Sequence, residues 1–143
     1  MWWFSEQLSA SDAAWIWDRA NMQTLISTLE LLAATALFKL VGPHIQSSNL
    51  QLWVRIYTDS MVAAQAQARW YSPVEPLNSV LKELALVILR QDASLQLHHI
   101  PGISNTWADD LSRGRTEAFS PSLRLRANFC DPGWWLLPPR HGR

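Results

Sequence analysis

With 143 residues, 48% of them hydrophobic, the chain is sized for one domain and can bury a core, which excludes a disordered polymer. Twelve Lys+Arg balance 12 Asp+Glu, so overall charge gives no attraction for nucleic acid, and any such binding needs a local basic face. Cys130 is the single cysteine, which excludes an internal disulfide and a cysteine-built zinc site and is compatible with an intracellular setting, cytoplasm or nucleus.

The chain starts Met1-Trp2-Trp3-Phe4 with no basic stretch ahead of its apolar residues, so it is not patterned as a signal peptide. It reads as a short strand entered partway through. A polar stretch from Ser9 to Asp12 predicts a loop, with irregular chain around Trp15 and Trp17. Met22 to Ser27 predicts another short strand. Thr28 to Leu40 predicts a helix: Thr28 can cap it, Ala and Leu dominate it, and Gly42-Pro43 stops it. Leu50 to Thr58 is the clearest strand, because Leu50, Leu52, Val54 and Ile56 alternate with Gln51, Trp53, Arg55 and Tyr57.

Ser60 to Arg69, rich in alanine and glutamine, predicts a helix, and Pro73 and Pro76 mark a loop. Leu77, Val80, Leu81, Leu84, Val87 and Ile88 follow helical spacing and predict a long helix over Leu77 to Arg90. Leu95 to Ile100 predicts a strand closed by Pro101-Gly102, and Thr106 to Leu111 a short helix. Residues 1–113 are expected to form the domain and the Arg/Pro-rich residues 114–143 a tail of little regular structure. No apolar run is read as approaching the roughly 20 residues of a membrane span, and no membrane partner is expected. Strands alternating with helices argue an α/β fold with some parallel pairing. The nine tryptophans are read as core filling and loop anchoring, with base stacking by exposed rings as the alternative.

Three acids fall at junctions between elements. Glu30 is placed in the first turn of the first helix, Asp59 closes the strongest strand, and Asp109 follows the last strand. Ligand sites in open α/β sheets gather at strand ends. Clustered carboxylates there repel one another unless a cation is bound, and hard divalent cations prefer oxygen ligands. Each acid also has a local explanation. Glu30 would favour the helix dipole, Asp59 could cap the next helix, and Asp109 and Asp110 could be solvated. Spacing alone does not show that the three converge.

Thr28-Leu29-Glu30-Leu31-Leu32-Ala33 resembles the segment of ribonuclease H domains that holds the second catalytic acid, and Tyr57-Thr58-Asp59-Ser60 the segment that holds the third. The run from His99-Ile100-Pro101-Gly102 through Asn105-Thr106-Trp107-Ala108-Asp109-Asp110 to Leu111-Ser112-Arg113 is similar to the closing motif of ribonuclease H domains in retrotransposon reverse transcriptases. The resemblance covers roughly residues 1–113. It implies a three-layer fold, a mixed sheet flanked by helices. It also implies hydrolysis of the RNA strand of RNA–DNA hybrids with two magnesium ions.

By position, Glu30, Asp59 and Asp109 would be metal ligands, Asp109 rather than Asp110 because it follows Asn105 by four residues. His99 would assist proton transfer or product release, while His98 points to the opposite face of its strand. The partners implied are an RNA–DNA hybrid or other nucleic acid and the remainder of a reverse-transcriptase polyprotein.

One feature of that pattern has no counterpart. The family's first acid lies on a first, central strand, whereas Trp2-Trp3-Phe4 already resembles the second. Asp12 and Asp18 lie in a predicted loop. The expectation is therefore an N-terminally incomplete domain with impaired cleavage, the alternatives being a catalytically silent nucleic-acid-binding or protein-interaction module and a decayed retroelement fragment.

Overall fold

The computed structural model describes residues 2–9, 11, 14–17, 21–45, 52–129 and 131–136, the side chains of Met22, Ile45, Leu52 and Pro132 excepted. Asp12, Asp18 and Cys130, the first residues of the Leu50–Thr58 strand and the end of the C-terminal tail lie outside the described residues. The α-helices and strands of the described residues follow in the order α1 (Ala14–Trp17), α2 (Met22–Ile45), β1 (Leu52–Thr58), α3 (Met61–Arg69), α4 (Leu77–Arg90), β2 (Ala93–His99) and α5 (Thr106–Ser112). The fold is α/β, with a small open sheet in which β1 and β2 run parallel, Leu52 opposite Ala93 through to Thr58 opposite His99.

Helix α2 corrects the sequence reading at both ends. The strand predicted over Met22 to Ser27 is helical, because Asn21 starts the helix earlier: its side-chain oxygen accepts from Thr24 N–H at 2.9 Å. Thr28 is not a cap. It is buried inside the helix, its hydroxyl donating to the Thr24 carbonyl at 2.7 Å, and Thr35 does the same to Leu31 at 2.8 Å. Back-bonding of this kind lets hydroxyls sit on a buried helical face. Glu30 is therefore in the middle of a helix and not in its first turn.

At the other end α2 runs past Gly42-Pro43 to Ile45. Proline disrupts the turn before it, and here the helix ends two residues later. A Cβ at Gly42 would collide with the Gln91 side chain just after α4, so glycine there reflects close packing. Gln23–His44 is also long and apolar enough, by length and composition, to cross a membrane, with 50% of it buried inside the protein. That corrects the reading that no run approaches such a length, which came from splitting the stretch into a strand and a shorter helix.

The core lies between α2, α4 and the inner face of the sheet. It includes Leu31, Leu32 and Phe38 of α2, the whole apolar stripe of α4, and Ile56, Leu95 and Leu97 from the strands. Val54 and Leu37 are partly buried against it. The alternation of β1 is real, with Ile56 and Thr58 buried and Trp53, Arg55 and Tyr57 exposed. The outer edge of β2 is closed by a side chain. The buried Gln67 amide of α3 donates to the Leu95 carbonyl at 3.2 Å and accepts from Leu97 N–H at 2.9 Å, as a neighbouring strand would. The far edge of β1 has no strand beside it among the described residues.

Trp3 does not join this sheet. It forms an isolated parallel bridge with Arg124, bonded on either side to the Leu123 carbonyl at 3.2 Å and Leu125 N–H at 2.7 Å. Its indole is buried against Phe119 and donates to the Ser120 carbonyl at 2.7 Å. Local packing of that ring overrides the strand pattern. Residues 114–136 carry two short 3-10 turns, at Pro121–Leu123 and Pro132–Trp134. They also reach the core, where Trp135 is buried edge-on to Trp15.

Candidate acidic cleft

The C-terminal ends of β1 and β2 open beside the middle of α2. Asp59 is the first residue past β1, and Ser60, not Asp59, caps α3: the Ser60 hydroxyl accepts from Ala63 N–H at 3.1 Å. Glu30, mid-helix, is out of reach of the helix dipole, which acts within the terminal turn. The dipole explanation for Glu30 and the capping explanation for Asp59 therefore fail. What remains is their common surrounding, a cavity of about 410 Å³ lined by Glu30, Asp59 and Asp109 together with Asn105, Ser112 and the N-terminal residues Ser5 and Glu6.

Within it Glu30 is half-buried, and its carboxyl is held above the ordinary glutamate range, first by burial and then by the negative charge of Asp59. No donor or cation among the described residues bonds the Glu30 carboxyl. The loop after β2 closes on Asp59, so that a Cβ at Gly102 would lie 3.6 Å from Asp59 Oδ2. The Ile100 N–H donates to the Thr58 carbonyl at 2.8 Å, which ties the end of β2 to the end of β1.

Asp109 enters from α5, where its N–H donates to the Asn105 carbonyl at 3.0 Å. Asn105 and Asp109 thus face the cavity one turn apart, and Asp110 does not line it. The Asp109 carboxylate is already paired, with Arg113 Nε at 3.1 Å and Arg115 Nη2 at 3.3 Å. His99 is exposed at the last position of β2 and does not line the cavity. His98 lies beside Tyr57, the rings 5.9 Å apart, and its Nε2 is buried without a hydrogen-bond partner.

Ser5 and Glu6 are the lining residues that sequence reasoning missed. Both are tied to the C-terminal half: the Ser5 hydroxyl donates to the Leu111 carbonyl at 2.6 Å, and Glu6 accepts from Ala127 N–H at 3.2 Å. No periodicity signals so distant a pairing.

The donor chemistry of Glu30 and Asp59 suits a hard divalent cation, which would relieve their repulsion. The three-acid set is not assembled: among the described residues no three His, Cys, Asp or Glu side chains are grouped so as to hold a metal ion, and Asp109 is turned to its two arginines. Glu30 and Asp59 are electrostatic neighbours with oxygen donors, but the described residues do not make a complete metal centre. Comparison with protein-family models, with curated proteins and with solved structures finds no match.

Proposed function

We propose that this chain is a ribonuclease H-type domain directed at the RNA strand of RNA–DNA hybrids, with a cleft that is catalytically weak as it stands. The observation that carries the reading is that Glu30, Asp59 and Asp109 line one cavity at the ends of parallel strands, where the helix dipole does not explain Glu30 and capping does not explain Asp59. Glu30 and Asp59 would hold a divalent cation through their ionised carboxylate oxygens, and the burial and like charge that raise the Glu30 carboxyl favour a cation there. Asp59, just past β1, supplies the negative charge that raises the Glu30 carboxyl. When bound at this pair, magnesium would supply charge neutralisation for a phosphoryl group in flight.

The test is cleavage of an end-labelled RNA–DNA hybrid in magnesium. The chain as it stands is expected to cut little or not at all, because Asp109 is paired with two arginines and Glu6, the fourth acid lining the cavity, accepts from Ala127 N–H. Adding ahead of Trp2 the aspartate-bearing strand that the resemblance implies should give magnesium-dependent cleavage, lost in Asp59→Asn. Absence of cleavage after that addition would remove the nuclease reading.

A second reading, a catalytically silent module that binds nucleic acid, is favoured by one specific feature. The Arg113 and Arg115 pairing of Asp109 neutralises the third acid without any metal.

A further inference from the structure

Among the described residues, no helix covers the outer face of the sheet at β1. Trp53 is 78% exposed and Tyr57 53% exposed, with the exposed Arg55 between them. Beside them on β2, at opposite positions, stand Ser94, Gln96 and His98. An indole this open to water is unusual for so large an apolar group. Yet the face is not a dry apolar patch of the kind that docks protein cores: between its rings it carries a guanidinium, an amide, an imidazole and a hydroxyl. None of the six residues is acidic. The complement of such a surface is a partner that offers flat π faces and negative charge in alternation.

We propose that this face is a stacking platform for a single-stranded stretch of nucleic acid. The spacing selects a single strand over a duplex. Alternate residues on a strand are about 6.7 Å apart, so Trp53, Arg55 and Tyr57 present three planar groups at about twice the 3.4 Å rise of stacked bases. Bases can match that interval only after unstacking from one another, which a single strand permits. Indole and phenol rings take base faces, and Arg55 takes either a base face or the phosphate between them.

The platform is continuous with the acidic cleft. Asp59 follows Tyr57 by two residues, and Tyr57 borders a smaller cavity that shares Phe4, Glu30 and Ala33 with the larger one. A strand lying from Trp53 to Tyr57 is led toward the acids. The proposal rests on the nucleic-acid reading above for its partner, and not on any cleavage.

The experiment is fluorescence anisotropy of labelled oligothymidylate and oligouridylate of about ten nucleotides, without divalent metal. It compares the full chain with Trp53→Ala, Tyr57→Ala, Arg55→Gln and, as a control on an exposed apolar residue elsewhere, Leu89→Ala. Trp53→Ala and Tyr57→Ala should each weaken binding roughly tenfold, Arg55→Gln should lower the salt slope by about 1, and Leu89→Ala should bind as the parent does. The DNA and RNA arms show which sugar the platform prefers.

No saturable binding by the parent, or equal binding by the Trp53 and Tyr57 variants, overturns the proposal. So does concentration-dependent self-association abolished by Trp53→Ala in a chain that binds no oligonucleotide, because that makes the face a protein interface. If platform variants lose binding while no form of the chain cleaves a hybrid, the platform stands and the nuclease reading falls. Asp59-dependent cleavage with no effect of the platform variants on binding gives the reverse.

Discussion

Two glutamates on helices that flank the core, Glu30 of α2 and Glu83 of α4, show what a partner does to a buried acid. Glu83 is 1% exposed and fully engaged: Lys39 Nζ donates to it at 2.9 Å and Leu136 N–H at 2.6 Å. Lys39 in turn donates to the Trp134 carbonyl and lies 3.5 Å from the centroid of that indole. Burial draws the Lys39 ammonium below the ordinary lysine range, and the hydrogen bond and charge of Glu83 counter it. Glu30 is less buried but has Asp59, another acid, as its electrostatic neighbour. Glu83 holds α2, α4 and residues 134–136 together. Glu30 opposes folding slightly whenever it is ionised. A raised carboxyl beside a like charge in a cleft marks a candidate site, so the contrast separates scaffold from candidate site.

The comparison can be broken most forcefully at its scaffold end. Glu83→Ala should leave Lys39 buried without its counter-ion and cost about 3–5 kcal/mol, read as a lower urea midpoint. A loss under 1 kcal/mol would show that Lys39 reaches water and that the pair is not structural. Next in size is the edge of β2. Gln67→Leu removes a donor and an acceptor from the backbone of Leu95 and Leu97, and it should cost about 1–3 kcal/mol. Amide exchange at Leu97 should quicken in that variant.

At the site end the expected sign reverses. The folded-state pKa of Glu30 is raised, so the folded chain holds this proton more tightly than the unfolded one. Its contribution to stability is fully present below the unfolded pKa of about 4.5 and is lost as pH rises through the higher folded value. Glu30→Gln should therefore unfold at a higher urea concentration than the parent at neutral pH, the difference vanishing in acid. It should also remove any rise in melting temperature that magnesium gives the parent. A variant less stable than the parent at neutral pH would mean that Glu30 has a favourable partner. The smallest effect on stability is expected for Arg113→Ala with Arg115→Ala, exposed pairs worth about 0–1 kcal/mol. The same change frees the Asp109 carboxylate and should strengthen magnesium binding measured by calorimetry.

Much of the fold was legible where local pattern and tertiary packing agree. The period-two alternation of β1 and the helical stripe of α4 are imposed by burial on one face, so α4 begins and ends where its apolar spacing does. The start of α2 was not legible. Met22 to Ser27 mixes the helix formers Met, Gln and Leu with Thr, Ile and Ser, and the Asn21 cap starts the helix ahead of them, while the Ser27 and Thr28 hydroxyls bond back along it.

That misplacement had a consequence for the site. With the helix started at Thr28, Glu30 looked like a dipole-favoured acid, and only the longer helix removes that explanation. Asp59 and Asp109 could be named from short motifs, but their meeting with Glu30 depends on how β1, α5 and α2 are stacked, which no spacing encodes. Ser5 and Glu6 were illegible for the same reason, being held by Leu111, Arg124 and Ala127 from the far end of the chain.

The central claim is that Glu30 and Asp59 form a coupled acid pair, and the pH titration of the Glu30 carboxyl carbon by NMR, in the parent chain and in Asp59→Asn, tests it most directly. The account predicts a Glu30 pKa above 4.5 in the parent. In the variant it should fall but stay elevated, because burial persists when the neighbouring charge is gone. A Glu30 that titrates at or below the ordinary value, or one that does not respond to Asp59→Asn, would contradict it.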